Sequence, residues 1–555
     1  MNAEFPWAGR HIPWLACFAA LLLPWVNPFS AGPSSSVQPW LVSALCVAVA
    51  FAIQPPGRLA PPMVLALAGL AAWASARSGL TPETVALAVA CLLILMAAGT
   101  AAGGAHRPEF IDAVALAWLL AAALSTAIAL CQYFGVAEAL APWVNASATG
   151  EAFANLRQRN QFASLTAIGM ASLFWLFPGK LGRWTALAAI AWLAVGNAST
   201  TSRTGLTQMI LLGALACLWP GARRQRALLW LGGLAAYALA ALALPWLLEL
   251  LTGEPGNRLW ERVASVETCS SRTVLWSNVL HLVGQRPWAG WGWGELDYAH
   301  FATLYEGARF CDILDNAHNL PLHLAVELGI PAAVLLCGGL VWAAVRARPW
   351  SEAQPARQMA WAVLAVIGVH SLLEYPLWYG PFQIAFGLGL GLLWPVAAQA
   401  SQAATGAEPS RPRLASAAAA ACVAAACAYA AWDYRRVSQI YLPPEARTPA
   451  MRDDPLPEIR RSWLFGNQAR FAELTITPLT RENAAWTFDN ARELLHYSPE
   501  PRVIEKLIES ATVLGREHEM LLDLARFRAA FPEAYSKWSK ARTGGDAAQP
   551  DQPAT

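Results

Sequence analysis

Long apolar runs separated by short polar connectors recur from the start of the chain to about residue 431. They lie near 12–28, 38–54, 60–76, 84–104, 111–134, 162–178, 184–198, 205–220, 228–248, 325–345, 358–374, 381–398 and 414–431, thirteen in all. A helix crosses the hydrocarbon layer with about 20 residues, within a range of roughly 17–25. Sustained apolar length favours helices over a barrel, whose strands would alternate in ten-residue pieces. The first run has no Ala-x-Ala-like cleavage site and no basic cluster before it, so it is expected to be retained. The expected fold is all-α: a polytopic membrane bundle of about 13 spans with a large external loop and a small C-terminal helical region.

Basic residues mark one set of alternate connectors: Arg10, Arg58, Arg107, Lys180 and Arg183, Arg223, Arg224 and Arg226, Arg346, Arg348 and Arg357, then Arg411 and Arg413. The positive-inside bias predicts that these connectors and the N-terminus are cytoplasmic. With an odd number of crossings, the tail beyond Tyr434 lies outside. Two external segments, 135–161 and 249–324, exceed ordinary connector length, and the second carries Trp260, Trp276, Trp288, Trp291, Trp293 and Tyr298. Long loops of this kind point to an active face rather than a passive connection.

Residues 1–434 therefore read as a membrane domain that includes the 249–324 loop. Residues 435–540 read as an external helical region, with segments near 456–475, 482–496, 501–515 and 516–530, and 541–555 as a disordered tail. Within that region Phe465, Ala469, Phe471 and Leu474 are expected to pack in one place, and Leu514, Met520, Leu524 and Phe527 in another.

Composition narrows the class. Of 555 residues only 14% are charged and 56% are hydrophobic, with 27 Trp; a soluble domain carries about 25% charge. These proportions exclude a disordered chain, a nucleic-acid binder and an ordinary cytosolic enzyme. The net charge of +2 indicates no special partner.

Certain polar residues are not explained by a membrane bundle. Asp315-Asn316-Ala317-His318-Asn319 precedes Pro321 and an apolar run, which predicts a loop-to-helix junction. His318 there either caps the re-entering chain or moves a proton. His323 and Glu327, four apart, can face each other on that helix. Arg203 and Arg272 lie on the external side, against the basic bias. Each guanidinium either anchors at the interface or bridges phosphate oxygens.

Gln158, Asn160 and Gln161 offer amides for sugar hydroxyls, beside Arg157 and Arg159. His370, Glu374, Tyr375, Trp378 and Tyr379 form a polar-aromatic exit from a span, suited to helix anchoring or to positioning a saccharide. Gly284–Gly294 allows tight turns but lacks the Gly-Lys-Ser/Thr ending of a phosphate loop. No metal is expected: His518 has no second histidine at zinc spacing, and the cysteines are not clustered. Cys269 and Cys311 share the external loop and are candidates for a disulfide in an oxidising compartment.

Taken in order, Asn155–Ala163, Thr201–Gly205, Ser271–Trp276 with Pro287–Gly294, and Asp315–Gly329 resemble the bacterial O-oligosaccharyltransferases related to O-antigen ligases and polysaccharide polymerases. His370–Tyr379 and the external tail resemble the pilin-glycosylating branch; Arg159 departs from the family pattern, which has proline there. The resemblance implies a multi-pass protein of the bacterial inner membrane that transfers an oligosaccharide from polyprenyl pyrophosphate to a periplasmic acceptor protein such as a pilin. Arg203 and Arg272 would bind the pyrophosphate, and His318 would activate the acceptor hydroxyl. Gln158, Asn160, Glu374 and Tyr379 would position donor or acceptor. Neither cofactor nor metal is implied, and membrane lipids are the surroundings. Ligation to lipid A–core, polymerisation and a flippase or transporter remain alternatives. The chemistry expected here requires His318 and both arginines to converge at the outer mouth of a lipid-accessible cavity.

Overall fold

The computed structural model describes residues 8–255, 269–394 and 410–545. Part of the long loop including Trp260, the end of the 381–398 run and the tail from 546 fall outside these residues. Among the described residues the structure is helical, with no strand. Each of the thirteen apolar segments carries helix. Among the described residues, five helices are long and apolar enough to cross a membrane: Pro82–Gly104, Pro108–Tyr133, Arg223–Thr252, Ile330–Ser351 and Leu414–Tyr441. Trp14–Val26, Val37–Ile53, Arg203–Leu218 and Gly380–Leu393 are shorter and apolar.

The chain divides into two compact units. The first comprises Met1–Ala71, Ala86–Ser265 and Gly338–Ala431. Its central element is the helix Arg159–Ala171, in which every residue from Gln161 onward is buried. A helix apolar on nearly all sides must be enclosed by others, and Trp118, Phe162, Phe174 and Phe382 fill the surrounding core. The polar residues on this buried helix are paired: Ser164 with His370 and Gln208, and Thr166 with Asn197. Such pairing is what permits polar atoms in a dry interior. The 162–178 run is not one helix; it breaks at Ser172 and resumes as Leu173–Leu176.

The second unit comprises Ala72–Val85, Val266–Cys337 and Trp432–Thr555, so the long loop from residue 266 on and the C-terminal helices share one body. Phe301, from the loop helix Leu296–Ala302, is buried among Phe471, Phe488, Ile504, Leu507 and Phe527 of the C-terminal helices. Tyr298 stacks on His496 at 3.7 Å, and Arg526 donates to the Ala302 carbonyl at 3.0 Å. The amphipathic helix Pro501–Val513 supplies Val503, Ile504, Leu507, Ile508 and Ala511 to this core, the spacing of a single helical face.

Two expectations change here. Phe465 and Ala469 pack with Val437 and Ile459, whereas Phe471 and Leu474 join the Phe301 cluster. Residues 469 and 471 are about 200° apart around a helix, so they serve opposite sides. The region expected to be disordered from 541 begins as helix: Pro532–Gly545 is continuous. Its Tyr535 and Trp538 pack on Phe527, and Arg542 lies 5.2 Å from the Trp538 ring and 3.2 Å from Glu509.

Candidate functional site

Each unit builds its own polar cluster. In the first, Gln158 caps the central helix by accepting the Gln161 backbone N–H on its side-chain oxygen at 2.7 Å. The capping oxygen satisfies a backbone donor that a helix start leaves without a partner. Asn160, in the same first turn, donates to Glu374 at 3.3 Å and accepts the Ser202 hydroxyl at 2.6 Å. Ser202 in turn caps the helix Arg203–Leu218 by accepting the Gly205 N–H at 3.1 Å. Glu374, Asn160 and Ser202 thus form a chain that fixes the start of the Arg203 helix. Arg203 itself is exposed. Tyr379 precedes the helix Gly380–Leu393 and stacks with Tyr375 at 5.9 Å.

The neighbouring arginines serve the fold. Arg157, in a left-handed conformation, donates to the carbonyls of Ser35 and Pro28, both at 3.0 Å. Arg159 pairs with Glu151 at 2.7 Å. These contacts give both guanidiniums structural partners, which leaves Arg203 as the outward cation of this cluster.

In the second unit, Ser271 caps the helix Arg272–Gln285 through the Val274 N–H, placing Arg272 at the first helical position. This helix is fastened to the segment before His318 at three places. The sulfurs of Cys269 and Cys311 are joined, with Cα atoms 5.4 Å apart. Asn278 donates to Ala308 at 2.9 Å and accepts from Phe310 at 2.8 Å. Trp276, one turn beyond Arg272, donates its indole N–H to the Ala317 carbonyl at 3.2 Å. Removing the sulfur link with Cys269→Ser is expected to destabilise this unit by about 2–4 kcal/mol, the range for closing a loop of this size, as read by thermal unfolding.

His318 is half-buried and has φ +49°, a left-handed value that side chains with a Cβ adopt only when surroundings hold them there. Asn316 accepts its N–H at 2.9 Å, and Asn319 caps the helix Leu320–Leu328 through the Leu322 N–H at 3.1 Å. The loop-to-helix junction predicted from Pro321 is present. So is the facing of His323 and Glu327, whose side chains meet at 3.3 Å, both buried.

The glycine-rich turn lies directly against this helix. Trp291 and Gly292 donate backbone N–H groups to the carbonyls of Val326 and Glu327 at 2.8 and 2.9 Å. A Cβ on Gly290 (φ +67°) would stand 2.2 Å from the Glu327 carbonyl oxygen, and one on Gly329 (φ +93°) 2.3 Å from that of Trp288. Only glycine allows backbones so close at those angles. Gly329 also divides the 325–345 run, since Leu320–Leu328 ends there and Ile330–Ala333 begins a new direction.

Electrostatics separate the loop histidines. His300 is buried, and burial with the nearby Arg309 pushes its pKa down to about 3. Its Nδ1 meets the Tyr305 hydroxyl at 2.9 Å and its Nε2 the Phe310 carbonyl at 3.2 Å, so it is a neutral structural group. Asp297 is buried, and burial, reinforced by Glu327 and Glu295, holds its carboxyl well above the usual carboxylate range. The folded protein therefore binds a proton that the unfolded chain releases, and stability falls as pH rises above the ordinary carboxylate range. Asp297→Asn keeps an acceptor for the Tyr298 N–H, which Asp297 accepts at 2.6 Å. Its unfolding midpoint is expected to exceed that of the parent at pH 8, with the difference vanishing near pH 4.

Sequence reasoning missed the connecting groups: Ser202, Ser164, Asn316 and the Trp276 indole. Asn316 holds the His318 N–H only two residues on, whereas the partners of the other three are far away in sequence or on another helix, where no local pattern marks them. Among the described residues, no group of three or more His, Cys, Asp or Glu is placed to hold a metal ion.

Three family profiles match the chain in succession: protein glycosylation ligase over 152–177, O-antigen ligase over 188–337, and the C-terminal part of virulence-factor membrane-bound polymerases over 358–543. The first window holds Gln158 and Asn160, the second Arg203, Arg272 and His318, the third Glu374 and Tyr379. These matches make the chain similar to O-antigen ligases and protein glycosylation ligases. A general O-oligosaccharyltransferase of Acinetobacter baylyi is 26% identical over 293 residues, covering 50% of this chain and 49% of that protein. A ComP-specific O-oligosaccharyltransferase of the same organism is 24% identical over 250 residues, covering 45% of each. The chain spans about half the length of the curated relatives it matches. The polar clusters on both units fall within profiles of this ligase and transferase group, so the resemblance covers the candidate residues as well as the apolar helices.

Proposed function

We propose that this ligase-related protein transfers an oligosaccharide en bloc from polyprenyl pyrophosphate to Ser or Thr hydroxyls of a periplasmic protein, a pilin being one such acceptor. The observation that carries the reading is the Trp276–Ala317 hydrogen bond, which joins the helix bearing Arg272 to the strained loop bearing His318. A phosphate-binding cation and a proton acceptor held by one scaffold suit displacement of a pyrophosphate. The likeness to two O-oligosaccharyltransferases supports the same chemistry.

In the proposed reaction His318 takes the proton of the acceptor hydroxyl as its oxygen bonds to the anomeric carbon. The bond from that carbon to the pyrophosphate oxygen breaks, and the electron pair leaves with the lipid pyrophosphate. Attack opposite the leaving group inverts the anomeric centre. Arg203 and Arg272 each contact phosphate oxygens and stabilise the charge that develops there. Gln158, Asn160, Glu374 and Tyr379 position donor or acceptor. The donor bond supplies the leaving group, so neither ATP nor a nucleotide sugar enters the step, and no metal is assigned.

The accompanying topology is about 13 spans in the inner membrane, with a cytoplasmic N-terminus and with the active face and C-terminal region periplasmic. Ligation to lipid A–core is the second reading, favoured by the O-antigen ligase match, and polymerisation the third, favoured by the polymerase match. Labelled lipid-linked glycan, offered to the reconstituted protein with pilin or lipid A–core separately, distinguishes them. Label on a protein hydroxyl supports the proposal. Label only on lipid A–core, or extension on the polyprenyl carrier, replaces it.

A further inference from the structure

We infer that Trp276 and the His323–Glu327 pair are positioning residues that clamp the backbone of Ala317, through its C=O and its N–H, and thereby hold His318 in its left-handed conformation. The inference rests on the proposed role of His318 and adds how that role is maintained. Ala317 is fully buried and is held from both ends: its carbonyl accepts the Trp276 indole N–H at 3.2 Å, and its N–H points to His323 Nδ1 at 3.5 Å. The next N–H, that of His318, goes to Asn316 at 2.9 Å. A positive φ at a residue with a Cβ is costly and persists only when its surroundings over-determine it. Three successive backbone contacts provide that constraint.

The His323 contact also defines its ring. Nδ1 can accept from Ala317 only if its lone pair is free, so the proton sits on Nε2. Nε2 lies 3.3 Å from a carboxyl oxygen of Glu327, which is buried together with His323. Glu327 thus lies against the Nε2 side of the ring, at ion-pair distance but outside hydrogen-bond geometry. The Trp293 ring, edge-on at 5.6 Å, closes another side of His323. Glu327 is itself pinned, because its carbonyl accepts from Gly292 across the close glycine contact. The 3.5 Å contact is the weakest of the three, so the larger share of the clamp falls to Trp276. The same indole sets the distance from His318 to Arg272, one turn earlier on the same helical face.

The test compares Trp276→Phe, Glu327→Gln, Glu327→Leu and His318→Ala in the full-length protein in lipid nanodiscs with a lipid-linked oligosaccharide donor. Losing one hydrogen bond of ordinary strength corresponds to about tenfold. Trp276→Phe is therefore expected to lower kcat about tenfold, with donor KM within twofold. Glu327→Gln keeps a polar group of the same shape beside Nε2 and is expected to keep most of kcat, whereas Glu327→Leu removes that group and lowers kcat. Parental kcat in folded Trp276→Phe overturns the clamp, as does an equal loss in Glu327→Gln and Glu327→Leu that follows their unfolding midpoints. If His318→Ala turns over as the parent does, the base role falls and the clamp with it. If His318→Ala is inactive while Trp276→Phe is unaffected, the base role stands and only the clamp is refuted.

Discussion

Replacing His318 by alanine is expected to lower the rate of glycan transfer about 100- to 10,000-fold, the usual contribution of a positioned general base. At about 1.36 kcal/mol per tenfold, that is about 2.7–5.4 kcal/mol of barrier. The hydroxyl of Ser or Thr is a poor nucleophile while it keeps its proton, and neither His300 nor His323 can substitute. His300 is sealed, neutral and committed at both nitrogens, and His323 is buried against Glu327. The loss should appear in kcat with little change in donor affinity, because the alanine variant retains both arginines. It should also leave folding intact. The left-handed backbone at His318 is relieved no more by alanine than by histidine, and the three backbone contacts around it do not use the imidazole. Parental turnover in a folded His318→Ala protein would reject the assignment.

The second large effect is expected at Arg203 and Arg272. Charge-assisted hydrogen bonds contribute about 1.5–3 kcal/mol, so each alanine variant should weaken donor binding roughly 10- to 150-fold, measured with a lipid pyrophosphate. Lysine keeps the charge but loses the planar fork, and should fall between. Arg203 occupies the first position of its helix, where a cation opposes the helix dipole by about 0.3–1 kcal/mol, so its removal should leave the unfolding midpoint equal or raised. Impaired donor binding is the expected signature in both variants. Unchanged donor affinity in both variants would reject the phosphate role.

Much of this molecule is legible from hydropathy, because a membrane makes apolar length the dominant signal. All thirteen runs carry helix, from Ala8–Val26 to Ser410–Ser438. What hydropathy misses is where a run is interrupted. The break at Gly329 is caused by the Trp288 backbone crossing at contact distance, a long-range event that a local window does not register. Helix Pro532–Gly545 was missed in part for a similar reason: its polar sequence reads as tail, yet Tyr535 and Trp538 find Phe527. At the candidate site, unusual residue types in unusual places were visible, namely arginines against the basic bias of the connectors and a histidine shortly before a proline. Their supports were not. Ser202 reaching Asn160 spans 42 positions and Trp276 reaching Ala317 spans 41, and neither has a local signature.

The central claim is that an entire oligosaccharide moves from a lipid pyrophosphate to a protein hydroxyl. Intact-mass measurement of the acceptor, after incubation with the reconstituted protein and a donor of defined glycan mass, tests it most directly. The account predicts an added mass equal to the whole oligosaccharide, located on Ser or Thr, matched by release of lipid pyrophosphate and absent with His318→Ala. An acceptor of unchanged mass while the donor is consumed or moved intact across the bilayer would contradict it.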